Sequence, residues 1–422
     1  MVRRLCVAWF VVLGTASLIA APQAITAKDA EAALVDHGIH PALVYDGAAF
    51  GDLSGGVRRG TTYLGTLRFQ LTLDGSRLAA VPGMTLFIEG LNIHGGHPSR
   101  FAGDAQGVSN LEGPARWMLN EGWIQQNLFD NQLSVLIGRY DLNTEFYRLQ
   151  SAGLFLNSSF GIGPEFSQSG RDGPSIFPDT SVGTRIAWKP ARGVVLRTAI
   201  LDGVPVDRSD GRKLFARGDG LLLVAEVAYL FRPTSKDSPR TPHFRLGRVA
   251  GLPPYTAKIA LGTWHYTGKY PDLSETTAAG QPVEHQGSSG AYVLADQTLY
   301  TDSKRPARRL TAFGQFGIGD ARVNRFASYT GAGIVMSAPL RGRDNDELGV
   351  AIAAAHNSSQ FATQQSGGVR VVRVEATLEC TYLAPLTSRL AIQPDLQYVI
   401  HPNTDSARKD AFVALLRFEL SF

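Results

Sequence analysis

The stretch from Lys409 to Phe422 alternates apolar and polar side chains and ends on an aromatic residue. Phe418, Leu420 and Phe422 share one phase, and Arg417, Glu419 and Ser421 the other. Because successive strand residues face opposite sides of a sheet, this segment offers an apolar strip to one environment and ionised groups to another. A final strand with one oily and one wet face is the expected edge of a membrane-embedded barrel.

The same two-residue period recurs along the chain. From Tyr63 to Asp74, Leu67, Phe69, Leu71 and Leu73 alternate with Arg68, Gln70, Thr72 and Asp74, a pattern that no amphipathic helix produces. Comparable segments lie near 84–94, 117–127, 132–139, 181–189, 193–202, 220–231 and 257–268. Others follow near 289–300, 309–317, 329–337, 346–355, 370–382, 387–399 and 411–422, making fifteen. A closed antiparallel barrel with both ends at the periplasmic rim needs an even number, so the spacing predicts sixteen strands, one of them unrecognised.

Asp130-Asn131, Pro190 to Gly193 and Leu383 to Thr387 read as tight turns, whereas Asp141–Thr180 and Tyr270–Ser289 read as long loops. Short turns at one rim and long loops at the other fit an outer-membrane barrel better than a sandwich or propeller, although those folds also alternate. The phase contrast is sharpest where Arg373, Glu375, Thr377, Glu379 and Thr381 oppose Val372, Val374, Ala376, Leu378, Cys380 and Tyr382.

At the start, Arg3 and Arg4 precede an apolar run from Leu5 to Ala21 with small residues beyond it, the pattern of a cleaved secretory signal over about 1–24. Residues 25–60 lack sustained alternation and are expected to form a periplasmic or lumenal preamble, leaving 61–422 as the barrel. Cys6 departs with the leader, and Cys380 then remains as a small apolar wall residue, so no disulfide or cysteine metal cluster is expected. The formal charge of +4 falls to about +2 without Arg3 and Arg4, which gives no field suited to nucleic acid. The nine histidines are dispersed and read as loop or rim residues. No nucleophile elbow, phosphate loop, dinucleotide loop or H-E-x-x-H occurs, so neither an enzyme nor a cofactor is expected.

Acidic, aromatic and basic residues interleave from Leu119 to Phe146: Glu121, Trp123, Gln125, Arg139, Asp141 and Glu145. Sugars expose hydroxyls around an apolar ring face, so a sugar-selecting channel needs ions and amides beside aromatic surfaces. Arg185, Arg197, Asp202, Glu226, Lys258, Trp264, Arg373, Glu375 and Arg417 are further candidates for the pore lining. Trp188, Tyr229, Phe231 and Phe422 run in phase with Leu and Val, as in an outward aromatic girdle.

These residues resemble the carbohydrate-selective porins of Gram-negative outer membranes, the OprB type. The resemblance runs from Gly55-Gly56-Val57-Arg58-Arg59-Gly60 through Leu119-Asn120-Glu121-Gly122-Trp123-Ile124-Gln125-Gln126. It continues in Leu136-Ile137-Gly138-Arg139-Tyr140-Asp141 with Glu145-Phe146, then in Ala152-Gly153-Leu154-Phe155-Leu156-Asn157-Ser158-Ser159-Phe160-Gly161, which is similar to that family's constricting loop. Later matches are Asp202-Gly203-Val204-Pro205, Gly262-Thr263-Trp264-His265-Tyr266-Thr267-Gly268, Gly290-Ala291-Tyr292 and Pro394-Asp395-Leu396-Gln397-Tyr398-Val399-Ile400. Gly122 departs from the pattern, which would place a bulkier residue there.

The resemblance implies an all-β, sixteen-stranded transmembrane barrel with an inward-folded constriction loop along 141–180. It implies passive, carbohydrate-selective diffusion of small sugars such as glucose, without cofactor or metal; a general diffusion pore without sugar preference is the alternative. The implied partners are small carbohydrates, outer-membrane lipids and the barrel-assembly machinery, the last engaged through the strand ending at Phe422. The implied state is a monomer or a homotrimer, with Glu121, Trp123, Arg139 and Asp141 meeting the sugar.

Overall fold

The computed structural model describes residues 34–205, 215–216, 218–231, 255–366 and 372–422. Sixteen strands close into one antiparallel barrel, each paired with its neighbours in chain order and β16 returning to β1. In order they are β1 Ile39–Gly56, β2 Gly60–Asp74, β3 Met84–Gly95, β4 Arg116–Leu128, β5 Leu133–Tyr140, β6 Ser181–Trp188, β7 Val194–Asp202 and β8 Leu221–Phe231. The second half comprises β9 Ala257–Thr276, β10 Pro282–Thr301, β11 Arg309–Gly319, β12 Phe326–Ser337, β13 Glu347–Asn357, β14 Val374–Pro385, β15 Leu390–Ile400 and β16 Lys409–Ser421. All fifteen segments identified by alternation are strands of this barrel.

The sixteenth is β1, which corrects the expectation of a preamble over 25–60: Ile39–Gly56 pairs with both β2 and β16 and closes the wall. Its pattern is faint because the outward phase carries Gly47, Ala49 and Gly51, while Ala48 and Phe50 point inward beside Asp46 and Asp52. The smallness is packing: a Cβ on Gly47 would lie 2.3 Å from the Tyr63 hydroxyl and 2.5 Å from the Phe418 ring. The leader expected over 1–24 lies outside the described residues.

A second correction concerns Tyr270–Ser289. It is not a loop, because β9 and β10 continue to Thr276 and from Pro282 and leave a turn of only 277–281 between them. The tight turn at Asp130-Asn131 is present, with both residues in the left-handed region. No helix among the described residues is long and apolar enough to cross a membrane, so the wall that could do so is made of strands.

The two faces of the wall differ in kind. Ile137, Ile186, Ile259, Leu261, Phe316 and Val350 stand exposed on the outside. Glu226, Lys258, Asp296, Gln315, Glu379 and Arg417 occupy the inward phase and are buried. Such burial inside a barrel requires something to fill the bore. The connections after β3 and β5 do so, and a hydrophobic cluster that includes Phe146, Phe155, Phe160 and Phe166 packs against Trp264, Tyr292 and Phe313 of the wall.

Candidate functional site

The segment 141–180 leaves β5 and lies against the inner wall from β8 to β15. The Tyr147 amide donates to Glu226 Oε2 at 3.0 Å, and the Ser151 amide and hydroxyl donate to Asp296 at 3.1 and 2.9 Å. Gln315 Nε2 donates to the Phe160 carbonyl and Gln393 Nε2 to the Leu154 carbonyl. Phe166 stacks on Trp264 with ring centroids 5.0 Å apart and planes 4° from parallel. Two strand glycines admit this packing. A Cβ on Gly317 would sit 1.8 Å from Glu165 Oε1, and one on Gly290 would sit 2.2 Å from the Trp264 ring.

This arrangement sorts the expected pore residues. Arg197 and Lys258 lie 3.4 and 3.6 Å from Glu226 Oε1, and all three are buried behind the segment; Lys258 Nζ also donates to the Arg148 carbonyl at 2.7 Å. Trp264 is 1 % exposed, and Asp202 accepts from the Phe215 amide at 2.6 Å. Glu375 is likewise buried. Arg197, Glu226, Lys258, Trp264 and Glu375 hold the filling of the bore in place, where open pore lining was expected, and Asp202 holds the connection after β7. Arg139 needs a different correction. It follows the exposed Ile137 in strand phase and pairs with Val182, which puts it on the opposite face from Glu121, Trp123 and Gln125; its Nε donates to Thr180 Oγ1 at 2.7 Å. Arg373 falls beside β14, next to residues outside the described set, and its carbonyl accepts from the Asn357 amide.

The rest of the patch does assemble. Trp123 Nε1 donates to Glu121 Oε2 at 3.1 Å, and the Asp141 amide reaches the same oxygen at 3.3 Å. Trp123 stacks on Phe87 at 5.0 Å. Arg185 bridges Gln125 at 2.6 Å and Glu145 at 2.7 Å, and Tyr140 donates to Glu145. Gly122 has room, since a Cβ there would meet only Leu119 methyls at 3.6 Å.

Next to that patch, the arc formed by β16 and β1–β4 joins the expected Arg417 to Asp46, Arg68, Glu89 and Glu419, charges that sequence reading did not single out as pore lining. Arg68 lies 3.6 Å from Asp46 and within electrostatic range of Glu89, Glu419 and Asp141. Gln70 donates to Glu89 at 2.5 Å, and Asn120 donates to the other Glu89 oxygen at 2.7 Å. Arg417 completes the row, donating to Asn110 Oδ1 at 2.6 Å. Arg148, on the segment itself, faces Asp141. Desolvation pushes the Asp141 carboxyl up to about 6, against the opposing pull of the Asn143 amide and the Arg148 charge. The signal for Arg68 and Glu89 was available in the alternation of β2 and β3; what was missing was the register that sets Arg68 diagonally from Asp46, through the Val44–Arg68 and Asp46–Thr66 pairs, and Glu89 opposite Glu121. The arc can therefore present opposed charges and a stacked aromatic pair along one side of the bore, which is the surface a polyhydroxylated ring would need.

A family model for the carbohydrate-selective porin, OprB family, matches residues 58–422. Porin B of Pseudomonas aeruginosa is 23% identical over 349 residues, covering 76% of this chain and 72% of that protein. Among solved structures, the high-pH structure of Pseudomonas putida OprB superposes with a TM-score of 0.79 at 21% identity, covering 94% of this chain and 96% of the other. The outer membrane channel DcaP of Acinetobacter baumannii superposes at 0.53 with 9% identity, over 91% and 97% of the two chains. These structural likenesses speak to the barrel fold. The family match, spanning nearly all of the described wall, shows that the chain belongs to the OprB family of carbohydrate-selective porins, sugar channels of the Gram-negative outer membrane.

Proposed function

We propose that monosaccharides of the glucose class pass between the arc of β16 and β1–β4 and the edge of the inward segment, exchanging water for Arg68, Asp141 and Arg148, with the buried Asp46, Glu89 and Glu121 setting the field behind them. The observation that carries this reading is the juxtaposition of Arg68 with Asp46 at 3.6 Å in reach of three further carboxylates, beside the Phe87–Trp123 stack. Opposed charges create a transverse field that orders polar hydroxyls, and an aromatic face receives the apolar side of the ring. Binding must stay weak, because a channel that holds its solute tightly does not conduct it.

On this reading the segment 141–180 is the constriction, and permeation involves no covalent step and no cofactor. Export by the leader, contact with outer-membrane lipids, recognition of β16 by the barrel-assembly machinery and the choice between monomer and homotrimer belong to the same proposal. Titration of single-channel current with glucose tests it. Saturable block in the wild-type protein that weakens in Arg68→Ala supports the assignment, whereas an identical block in both rejects it. Liposome swelling with sugars and amino acids of matched size addresses the rival general pore, which predicts equal rates.

A further inference from the structure

Two connections, not one, enter the bore, and they meet. The Asn110 amide, on the connection 96–115 after β3, donates to the Leu156 carbonyl at 2.8 Å, and the Ser158 amide donates back to the Gly107 carbonyl at 2.8 Å. Val108 and Leu156 share an apolar cluster with Phe50, Val399, Val413 and Leu415. The junction lies over β14 and β15, where Gln397 Nε2 donates to the Val108 carbonyl at 2.9 Å.

Beneath the junction stand two carboxylates on one strand. Glu375 accepts the Ala105 amide on both oxygens, at 3.0 and 2.8 Å, and the Gln106 amide at 2.9 Å; it also accepts the Asn403 amide from the connection before β16. Glu379, four residues on and on the same face, accepts the Leu156 amide at 2.5 Å and the Asn157 amide at 3.0 Å. Each carboxylate thus collects consecutive backbone amides from a different connection. Each carboxyl group offers an acceptor on both of its oxygens, and a glutamine would point its own donor at one of those amides.

We propose that Glu375 and Glu379 form a clasp that joins the connections 96–115 and 141–180 into one body and thereby fixes the width of the sugar passage. They are positioning residues: they lie behind the connections, away from the arc that meets the solute. Every other wall contact described above for 141–180 holds that segment alone, whereas β14 anchors both connections where they bond each other at Asn110–Leu156 and Ser158–Gly107. The inference rests on the passage proposed above only for its effect on sugar; its effect on ion current is independent.

The test is single-channel recording in molar KCl of Glu375→Gln, Glu379→Gln and the double variant, with the mobility of unboiled protein in gels confirming a closed barrel. Each single variant should change the open-channel conductance by roughly twofold and raise the current noise. The double variant should add little to either single one, because releasing either end frees the same body. Leu156→Pro removes the amide that Glu379 receives while leaving every wall residue in place, and the preceding Phe155, with ψ near 149°, already has the backbone that a following proline requires. It should reproduce Glu379→Gln, and it decides the matter if the glutamine variants do not assemble. Wild-type conductance and noise in Leu156→Pro, or single effects that multiply in the double variant, would overturn the clasp. A changed ion current with no sugar block in any variant would sustain the clasp and reject the sugar passage.

Discussion

The inner wall has two arcs built from the same residue types and used in opposite ways. From β8 to β15, Glu226, Lys258, Asp296 and Glu379 are buried under the inward connections, and each bonds a backbone group of the segment 141–180, beside side-chain partners such as Tyr292 and Tyr255. From β16 through β4, Asp46, Arg68, Glu89 and Glu121 pair chiefly with side chains, and Arg68 retains 16% side-chain exposure against 0% for Lys258. Inward charge alone therefore does not mark a pore lining. What distinguishes the arcs is which connection packs over them: the aromatic-rich 141–180 covers β8 to β15, while β16 and β1 meet chiefly 96–115, through Asn110 on Arg417 and Val108 beside Phe50, and glycines such as Gly317 and Gly290 mark where the aromatic packing occurs.

The sharpest way to break the contrast is on the covered side. Glu226→Leu leaves Lys258 and Arg197 buried without their carboxylate, and the barrel should lose about 3–5 kcal/mol of stability, read as the urea midpoint of the folded gel band. Gly317→Ala drives a methyl into Glu165 and should cost about 2–3 kcal/mol while shifting conductance, as overpacking does elsewhere. A pH experiment sharpens the same region. Burial pushes the Glu165 carboxyl up from 4.5 to about 7 in the folded protein. Its folded value is raised, so its stabilising contribution is complete below the unfolded pKa and is lost as pH climbs through about 7. Between about pH 5 and about pH 8 the wild-type melting temperature should therefore fall relative to Glu165→Gln by the equivalent of on the order of 2 kcal/mol; parallel curves would remove Glu165 from the docking energetics. On the other side, Arg68→Ala leaves the buried Asp46 without its cation and should cost about 1–3 kcal/mol while weakening sugar block roughly tenfold.

Much of the barrel was legible because a two-residue period survives whenever one face meets lipid and the other meets water or polar filling. Leu67 against Arg68 and Leu378 against Glu379 are such cases. The period vanishes in β1, where Gly47, Ala49 and Gly51 make room for neighbouring rings, and no local rule restores it. The site was half legible. Glu121, Trp123 and Asp141 lie close in sequence and meet in space, but the partners that turn them into a charged arc come from β1, β2 and β16, at separations that only the closed register reveals. Arg139 was misplaced by one step of phase: it stands beside Tyr140 in sequence, yet alternation turns it to the other face, while Asp141 joins the patch by leaving the strand. The connection 96–115 carries no period at all, and its entry into the bore is set by Glu375, some 270 residues later.

The most direct measurement is a glucose titration of single-channel current on three proteins, the wild type, Arg68→Ala and Glu165→Gln. Saturable block in the wild type, retained in Glu165→Gln and weakened roughly tenfold in Arg68→Ala, is the predicted result. Block that is equal in all three proteins, or weakened only by the change on the covered side, would contradict a sugar path along β16 and β1–β4.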